Sequence, residues 1–118
     1  MAATADWTMK ANDLAPSIQA ALTSNGAAVD LTNATVKFIM RSADANFVPG
    51  TGAVAINSPG VVVNAAGGIV RYDWATGDTA TPGNYVAEWQ VTIGGKPETF
   101  PTLTYHAITI VADLDGGV

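Results

Sequence analysis

The sequence predicts an all-β fold in which short antiparallel strands pack as two sheets. Val, Ile and Thr are abundant, and these β-branched residues suit a pleated sheet. Several segments alternate apolar and polar residues with a period of two, and clusters of Gly, Pro, Asn and Asp separate them. Such spacing is typical of a β-sandwich, here of about seven to nine strands. We expect one domain spanning residues 1–118, a common domain length.

The first two predicted strands lie in segments 7–11 and 18–22, where apolar residues alternate. The second ends at Asn25-Gly26, a pair that favours a tight turn because both residues tolerate a positive φ. Apolar spacing within 13–22 also fits one face of a helix. We favour a strand there because the surrounding pattern is that of a β protein.

A half-buried strand is predicted for residues 36–41, which alternate strictly. Residues 42–60 contain several Gly, Pro, Asn and Asp residues and are predicted to be irregular, with a short strand at 54–56. Phe47 and Val48 are apolar residues in this predicted loop. Loops on a rigid scaffold often carry binding sites, so both residues are candidate partner contacts.

The second half of the chain repeats the pattern of short strands and turns. Gly94-Gly95 is a two-residue hairpin signal. The predicted strands are 61–64, 68–74, 84–93, 96–100 and 104–112.

Gly83 and Tyr85 stand at the start of the most regular strand. A Gly two residues before a Tyr at this place resembles the tyrosine corner of immunoglobulin-type sandwiches, in which the phenol hydroxyl binds upstream backbone. The predicted fold is therefore an immunoglobulin-like antiparallel β-sandwich. The chain contains no Cys, so the disulfide found in antibody domains is excluded.

Charge and hydropathy limit the classes of partner. Charged residues make up 13% of the chain, against about 25% in average soluble domains. Part of the surface faces neighbouring subunits, or the surface is simply neutral; both interpretations remain open. The five basic residues are scattered, which argues against nucleic-acid binding. No apolar run reaches the ~18 residues that span a bilayer, so no membrane partner is expected.

No motif in the sequence points to catalysis, a cofactor or a metal. The single histidine, His106, lies in a predicted strand, and there is no Gly-x-Ser-x-Gly elbow. Asp113 and Asp115 do not match a calcium loop. We therefore predict a protein that is not an enzyme and binds no cofactor.

The three tryptophans offer an alternative function in carbohydrate binding. Trp7, Trp74 and Trp89 could stack on sugar rings if they shared one exposed face. The strand pattern instead favours core positions for Trp74 and Trp89. Trp7, near the N-terminus, is predicted to cover an open end of the sandwich or to contact a partner.

Six segments stand out for their order and spacing: residues 6–16 (DWTMKANDLAP), 29–41 (VDLTNATVKFIMR), 68–74 (GIVRYDW), 77–79 (GDT), 82–89 (PGNYVAEW) and 98–101 (ETFP). Together they extend over nearly the whole chain and resemble the phage baseplate upper protein N-terminal domain family. The resemblance implies a β-sandwich that attaches other proteins to a virion, with no catalytic residues.

The resemblance implies that the chain is a structural protein of a bacteriophage and works by protein–protein docking. In that family the domain often heads a longer chain, whereas this sequence ends at Val118. We therefore expect a tail, neck or baseplate adaptor, with a capsid decoration protein as the alternative. The expected partners are other virion proteins in a symmetric multi-copy assembly. The sequence lacks the basic and apolar regions of a signal peptide, so synthesis in the host cytoplasm is expected.

Overall fold

The computed structural model describes residues 5–50, 54–100, 106–112 and 114, and within these residues the backbone forms eleven strands and no helix. The strands are β1 (Trp7–Lys10), β2 (Ile18–Ala21), β3 (Thr23–Ser24), β4 (Ala27–Ala28), β5 (Thr35–Ala43), β6 (Ile56–Pro59), β7 (Val61–Asn64), β8 (Ile69–Tyr72), β9 (Gly83–Ile93), β10 (Lys96–Phe100) and β11 (His106–Val111). The all-β prediction is confirmed.

Two sheets supply the core. The larger sheet has the order β1-β11-β9-β5-β6, and β10 pairs with β9 beyond the end of β11. The smaller sheet has the order β2-β8-β7, while β3 and β4 form a separate short hairpin. The pairing of β1 with β11 is parallel, and the other strand pairings described are antiparallel. The predicted immunoglobulin-like sandwich is thus confirmed.

Aromatic side chains from both sheets meet at the centre of the core. The Phe38 ring stacks on that of Tyr72 with a centroid distance of 4.6 Å and contacts Trp89 at 4.8 Å. Trp74 meets Phe38 edge-on at 5.8 Å. Such aromatic contacts add to the free energy gained by burying apolar surface. They join β5 and β9 of the larger sheet to the end of β8 in the smaller sheet.

Gly60 marks the point where the chain crosses from the larger sheet to the smaller one. It lies between β6 and β7, and its N–H donates to the Val36 carbonyl oxygen over 2.8 Å. A Cβ atom at this position would lie 3.2 Å from the Trp89 ring and 3.3 Å from the Arg71 carbonyl oxygen. The absence of a side chain therefore allows the crossing strand to lie directly on the core.

Some strands differ in extent from the prediction. The strand predicted at 18–22 starts at Ile18 as expected and ends one residue early, at Ala21. Pro16 lies before it and offers no N–H to a neighbouring strand. Its carbonyl oxygen instead accepts the Trp74 Nε1 hydrogen over 3.1 Å. The strand expected at 54–56 begins at Ile56. Two of the eleven strands, β3 and β4, are two residues long and flank the predicted Asn25-Gly26 turn.

Parts of two predicted features lie outside the described residues. The last strand was expected from residue 104, and residues 104 and 105 are not described, while β11 begins at His106. Asp113 and Asp115, the acidic pair compared with a calcium loop, are also outside the described residues.

Candidate docking surfaces

The loop after β5 is a compact turn organised by Asp44. Its Oδ1 atom accepts the backbone N–H of Asn46 over 2.8 Å and that of Val48 over 3.0 Å. Its carbonyl oxygen accepts the Phe47 N–H over 3.0 Å. An Asp side chain that binds backbone two and four residues ahead favours a turn over continued strand. The five residues from 44 to 48, which we call the Asp44 turn, therefore hold one shape.

The tip of the Asp44 turn presents Phe47 and Val48 in different ways. Val48 is 55% exposed, whereas Phe47 is half-buried. Phe47 has a φ of 58°, a left-handed conformation that is uncommon for a bulky residue. Strain of this kind, about 1–3 kcal/mol, persists only where surrounding contacts impose it and is concentrated at functional sites. The structure thus brings two of the predicted contact residues together at one surface point.

Hydrogen bonds tie the Asp44 turn to the larger sheet. After the turn, the Gly50 N–H donates to the Ser42 carbonyl oxygen over 2.8 Å. The Arg41 Nη1 atom donates to the Gly50 carbonyl oxygen over 3.2 Å. On the other side, Asn84 Nδ2 donates to the Asp44 carbonyl oxygen over 3.3 Å. A turn fixed in this way loses little conformational entropy when it meets a partner.

An open groove of about 230 Å³ lies beside the turn on the outer face of the larger sheet. Its lining includes Ile39 and Arg41 of β5, Val86 and Glu88 of β9, and Pro49 after the turn. Alternation along β9 places Val86 and Glu88 on the face opposite Trp89, but the sequence alone does not predict the groove. The groove arises from the register in which β5 pairs with β9, and a single sequence does not reveal that register.

Trp7, the third predicted contact residue, lies elsewhere. It pairs in register with Ile108 of β11, whose side chain is fully buried. The indole packs against the core with part of its surface exposed, and its Nε1 donates to the Met9 sulfur over 3.4 Å. Three strand spacings, about 14 Å, separate β1 from β5. Trp7 therefore does not join the surface formed by Phe47 and Val48.

Gly83 and Tyr85 open β9, with the geometry that a tyrosine corner requires. The Tyr85 hydroxyl donates to the Thr81 carbonyl oxygen over 2.6 Å. Burial raises the pKa of this phenol. Gly83 has a φ of 150°, at the edge of the region that favours glycine. The role we assign to this pair, pinning the chain where it enters β9, stays a prediction.

His106 lines a smaller pocket of about 110 Å³ with Asp6, Trp7 and Gln19. The His106 Nε2 atom accepts the Trp89 Nε1 hydrogen over 2.9 Å, and Asp6 Oδ2 accepts the Ala107 N–H over 3.0 Å. The pKa of His106 is lowered by burial, and the nearby Asp6 charge offsets part of this decrease. These polar atoms hold neighbouring strands together, which is a structural use of both side chains.

The tryptophans do not form a shared exposed face. Trp89 is fully buried and Trp74 is 5% exposed, so both belong to the core as the strand pattern predicted. A sugar-stacking platform built from a pair of these rings is therefore not present. The described residues contain no cluster of three or more side chains suited to a metal ion. Among them there is also no helix of the length and hydropathy needed to cross a bilayer.

Comparison with known proteins gives one family. A family model described as the BppU N-terminal domain, the phage baseplate upper protein N-terminal domain, matches residues 8–113. No curated protein matches the chain.

Proposed function

Because the chain belongs to the phage baseplate upper protein N-terminal domain family, we propose that it docks onto neighbouring virion proteins through the Asp44 turn. Membership confirms the resemblance seen in the sequence and makes the chain a structural component of a phage baseplate or tail. A structural family also supports a role without catalysis. We propose synthesis in the host cytoplasm, followed by assembly in several copies.

The observation that carries this proposal is the fixed, strained tip of the turn. Val48 offers an apolar contact that is 55% exposed, and Phe47 is held at a positive φ beside it. Hydrogen bonds to Ser42 of β5 and from Asn84 of β9 hold the turn in place. A few anchor residues supply most of the binding energy in protein interfaces, and rigid presentation lowers the entropic cost of binding.

The first test replaces Val48 by Asp and follows incorporation into particles. A charge at the centre of an apolar contact should lower occupancy at least ~10-fold, because it must lose its hydration without gaining a partner. Occupancy is measured by quantitative mass spectrometry of purified particles. The matched control is Val63→Asp, since Val63 is 46% exposed but lies on β7 in the smaller sheet.

A second variant separates docking from stability. Asn tolerates the left-handed conformation that Phe47 adopts, so Phe47→Asn should leave the melting temperature equal or higher. Occupancy should nevertheless fall because the ring is lost. Wild-type occupancy of both Phe47→Asn and Val48→Asp would contradict the proposal. Loss of occupancy with Val63→Asp alone would place the docking surface on the smaller sheet.

A further inference from the structure

The Asn25-Gly26 turn places a reactive side-chain amide next to an unhindered backbone nitrogen. Asn25 is the one asparagine of the chain that is followed by Gly. The backbone nitrogen of the residue after an Asn can attack the Asn side-chain carbonyl, and a side chain on that residue hinders the attack. Gly has no side chain and leaves the backbone free to rotate. The sequence therefore makes Asn25 the asparagine most prone to lose its amide.

The structure leaves both reacting groups open to water. Asn25 and Gly26 are exposed, and the Asn25 side chain forms no hydrogen bond with any described residue. The Gly26 N–H donates to no backbone carbonyl oxygen in the same part of the chain. A Cβ atom on Gly26 would have no neighbour within 4 Å. Neither the attacking nitrogen nor the amide is therefore held by a contact that must first be broken.

The hairpin that carries the turn is short and exposed. β3 and β4 have two residues each, all exposed, and within the described residues they pair with each other and with no further strand. The φ values of 52° at Asn25 and 80° at Gly26 match a two-residue type I′ turn. The attack requires the ψ angle of Asn25 to leave the value of this turn. An isolated two-stranded hairpin is marginally stable in water, so the turn opens as a small local unit.

The core does not depend on the turn. At the base of the hairpin, the Leu22 N–H donates to the Gly68 carbonyl oxygen over 2.8 Å, and the Val29 N–H donates to the Leu22 carbonyl oxygen over 3.0 Å. Leu22 is 3% exposed and belongs to the core. These bonds join the base of the hairpin to the residue before β8. The hairpin can thus open at its tip while the core stays closed.

We infer that Asn25 is a site of spontaneous deamidation in the folded protein, with water as the co-reactant. The Gly26 nitrogen loses its proton to a solvent base and forms a bond to Cγ of Asn25. The Cγ–Nδ2 bond breaks, and Nδ2 takes up a proton and leaves as ammonia, which produces a cyclic succinimide. Water then opens the ring at one of its two carbonyl carbons. One opening gives aspartate, the other gives isoaspartate, and no atom is oxidised or reduced.

The reaction changes both the charge and the backbone of the hairpin. Each event adds one negative charge to a chain whose net charge is −5. Isoaspartate also adds one carbon atom to the backbone of the turn, so the pairing of Ser24 with Ala27 loses its register. A particle does not replace its proteins by new synthesis, so modified chains accumulate as it ages. This last consequence rests on the proposed function as a virion protein, whereas the reaction does not.

The test follows the purified wild-type chain during incubation near neutral pH and at mildly alkaline pH. Peptide mapping by mass spectrometry measures the conversion of each asparagine. An isoaspartyl methyltransferase with labelled S-adenosylmethionine counts the isoaspartate independently. Asn25 should react at least ~10-fold faster than Asn64, which is also exposed but whose Oδ1 atom accepts the Gly67 N–H over 3.0 Å. The rate at Asn25 should rise with the hydroxide concentration, because the attacking nitrogen must lose its proton.

Two variants separate the reaction from the opening of the hairpin. Asn25→Gly keeps the positive φ without strain and has no amide, so the acidic species should disappear from isoelectric focusing. In Gly26→Ala the added methyl group hinders the attack and should lower the rate at least ~10-fold. The same methyl group strains the turn at a φ of 80° and favours its opening. A faster reaction in Gly26→Ala would therefore contradict attack by the Gly26 nitrogen.

Comparison with the chain unfolded in urea measures how far the fold protects the site. The folded rate at Asn25 should stay within ~100-fold of the unfolded rate, because opening of the hairpin is local. Stronger protection, or conversion of Asn64 ahead of Asn25, would overturn the inference. The aged chain should keep the melting temperature of the fresh chain, and a lower value would show that the core depends on the turn after all.

Peptide mapping of stored particles tests the accumulation separately. Particles should gain aspartate and isoaspartate at Asn25 with storage time. A site that reacts in the purified chain but not in particles would refute the consequence for the virion and support the reaction itself.

Discussion

Trp89 donates its indole Nε1 hydrogen to Nε2 of His106 over 2.9 Å, which links β9 to β11 from within the sandwich. Since Nε2 is the acceptor, a neutral His106 carries its proton on Nδ1. Protonation of Nε2 would set two donors against each other beside a fully buried indole. The bond therefore requires the neutral imidazole.

The first prediction is a loss of stability on mild acidification. Burial lowers the pKa of folded His106 below the ordinary histidine value of 6.5, although the Asp6 charge opposes the shift. At a pH between the folded and the unfolded pKa of His106, the imidazole is protonated in the unfolded chain and neutral in the folded chain. The contribution of His106 to the free energy of unfolding should thus be fully present above pH 6.5 and should decrease as the pH falls below 6.5.

The measurement for His106 is urea denaturation between about pH 7.5 and pH 5. His106→Gln, whose amide oxygen can accept the same hydrogen, should flatten the slope in this range. An equal slope in the variant would show that other groups cause the pH dependence. Asp30 and Asp73 have pKa values below 3.8, so their contributions are lost only at lower pH.

The second prediction concerns alkaline pH. Burial, followed by the hydrogen bond and the negative charge of Asp78, raises the pKa of Tyr72 to about 12. The hydroxyl of Tyr72 donates to Asp78 Oδ2 over 2.5 Å. The unfolded phenol ionises near pH 10, so stability should fall as the pH rises from 10 through 12. Thermal denaturation at pH 9 to 11 should show a smaller decrease for Tyr72→Phe than for the wild type.

The third prediction tests the hydrogen bond from Tyr85 to Thr81. Tyr85→Phe keeps the ring but removes the donor, so the free energy of unfolding should fall by about 0.5–1.5 kcal/mol. Tyr85→Ala also removes the buried ring and should cost about 3–5 kcal/mol. Chemical denaturation of the three proteins separates the two effects. Equal stability of Tyr85→Phe and wild type would show that the bond does not pin the start of β9.

The fourth prediction concerns the sheet crossing at Gly60. Gly60→Ala places a methyl group 3.2 Å from the Trp89 ring and 3.3 Å from backbone, in a core with little room to move. We expect a destabilisation of about 1–3 kcal/mol. Gly67→Ala is the control, because its close neighbour is the exposed side chain of Asn64, which can move away at the cost of one exposed hydrogen bond to the Gly67 N–H. Equal melting temperatures for both variants would contradict this account.

The sequence predicted the core more fully than the surfaces. Alternation along β9 placed Trp89 in the core because burial on one face follows directly from a period of two. The same alternation put Val86 on the outer face but could not show that it is buried there. That burial depends on the register of β5 and β11 against β9, which long-range pairing determines.

The conformation of Phe47 was also beyond sequence reasoning. Local preference disfavours a positive φ for this residue, and the hydrogen bonds of Asp44 impose it. The position of Trp7 beside the core was not predictable for a different reason: it depends on the long-range pairing of β1 with β11. The Asp44 turn lay inside a segment predicted only to be irregular. Its rigidity arises from contacts that composition alone does not specify.

The parallel pairing of β1 with β11 has a mechanical consequence. The chain enters β1 beside the start of β11 and leaves β11 beside the end of β1, so the two strands point the same way. Pulling backward on the start of β1 and forward on the end of β11 loads their hydrogen bonds in shear, all at once. The bonds from Asp6 to Ala107 and from Ala11 to Val111 lie at the two ends of this clamp. We expect the fold to withstand a larger force in this direction than it would if the same two strands were peeled apart one hydrogen bond at a time.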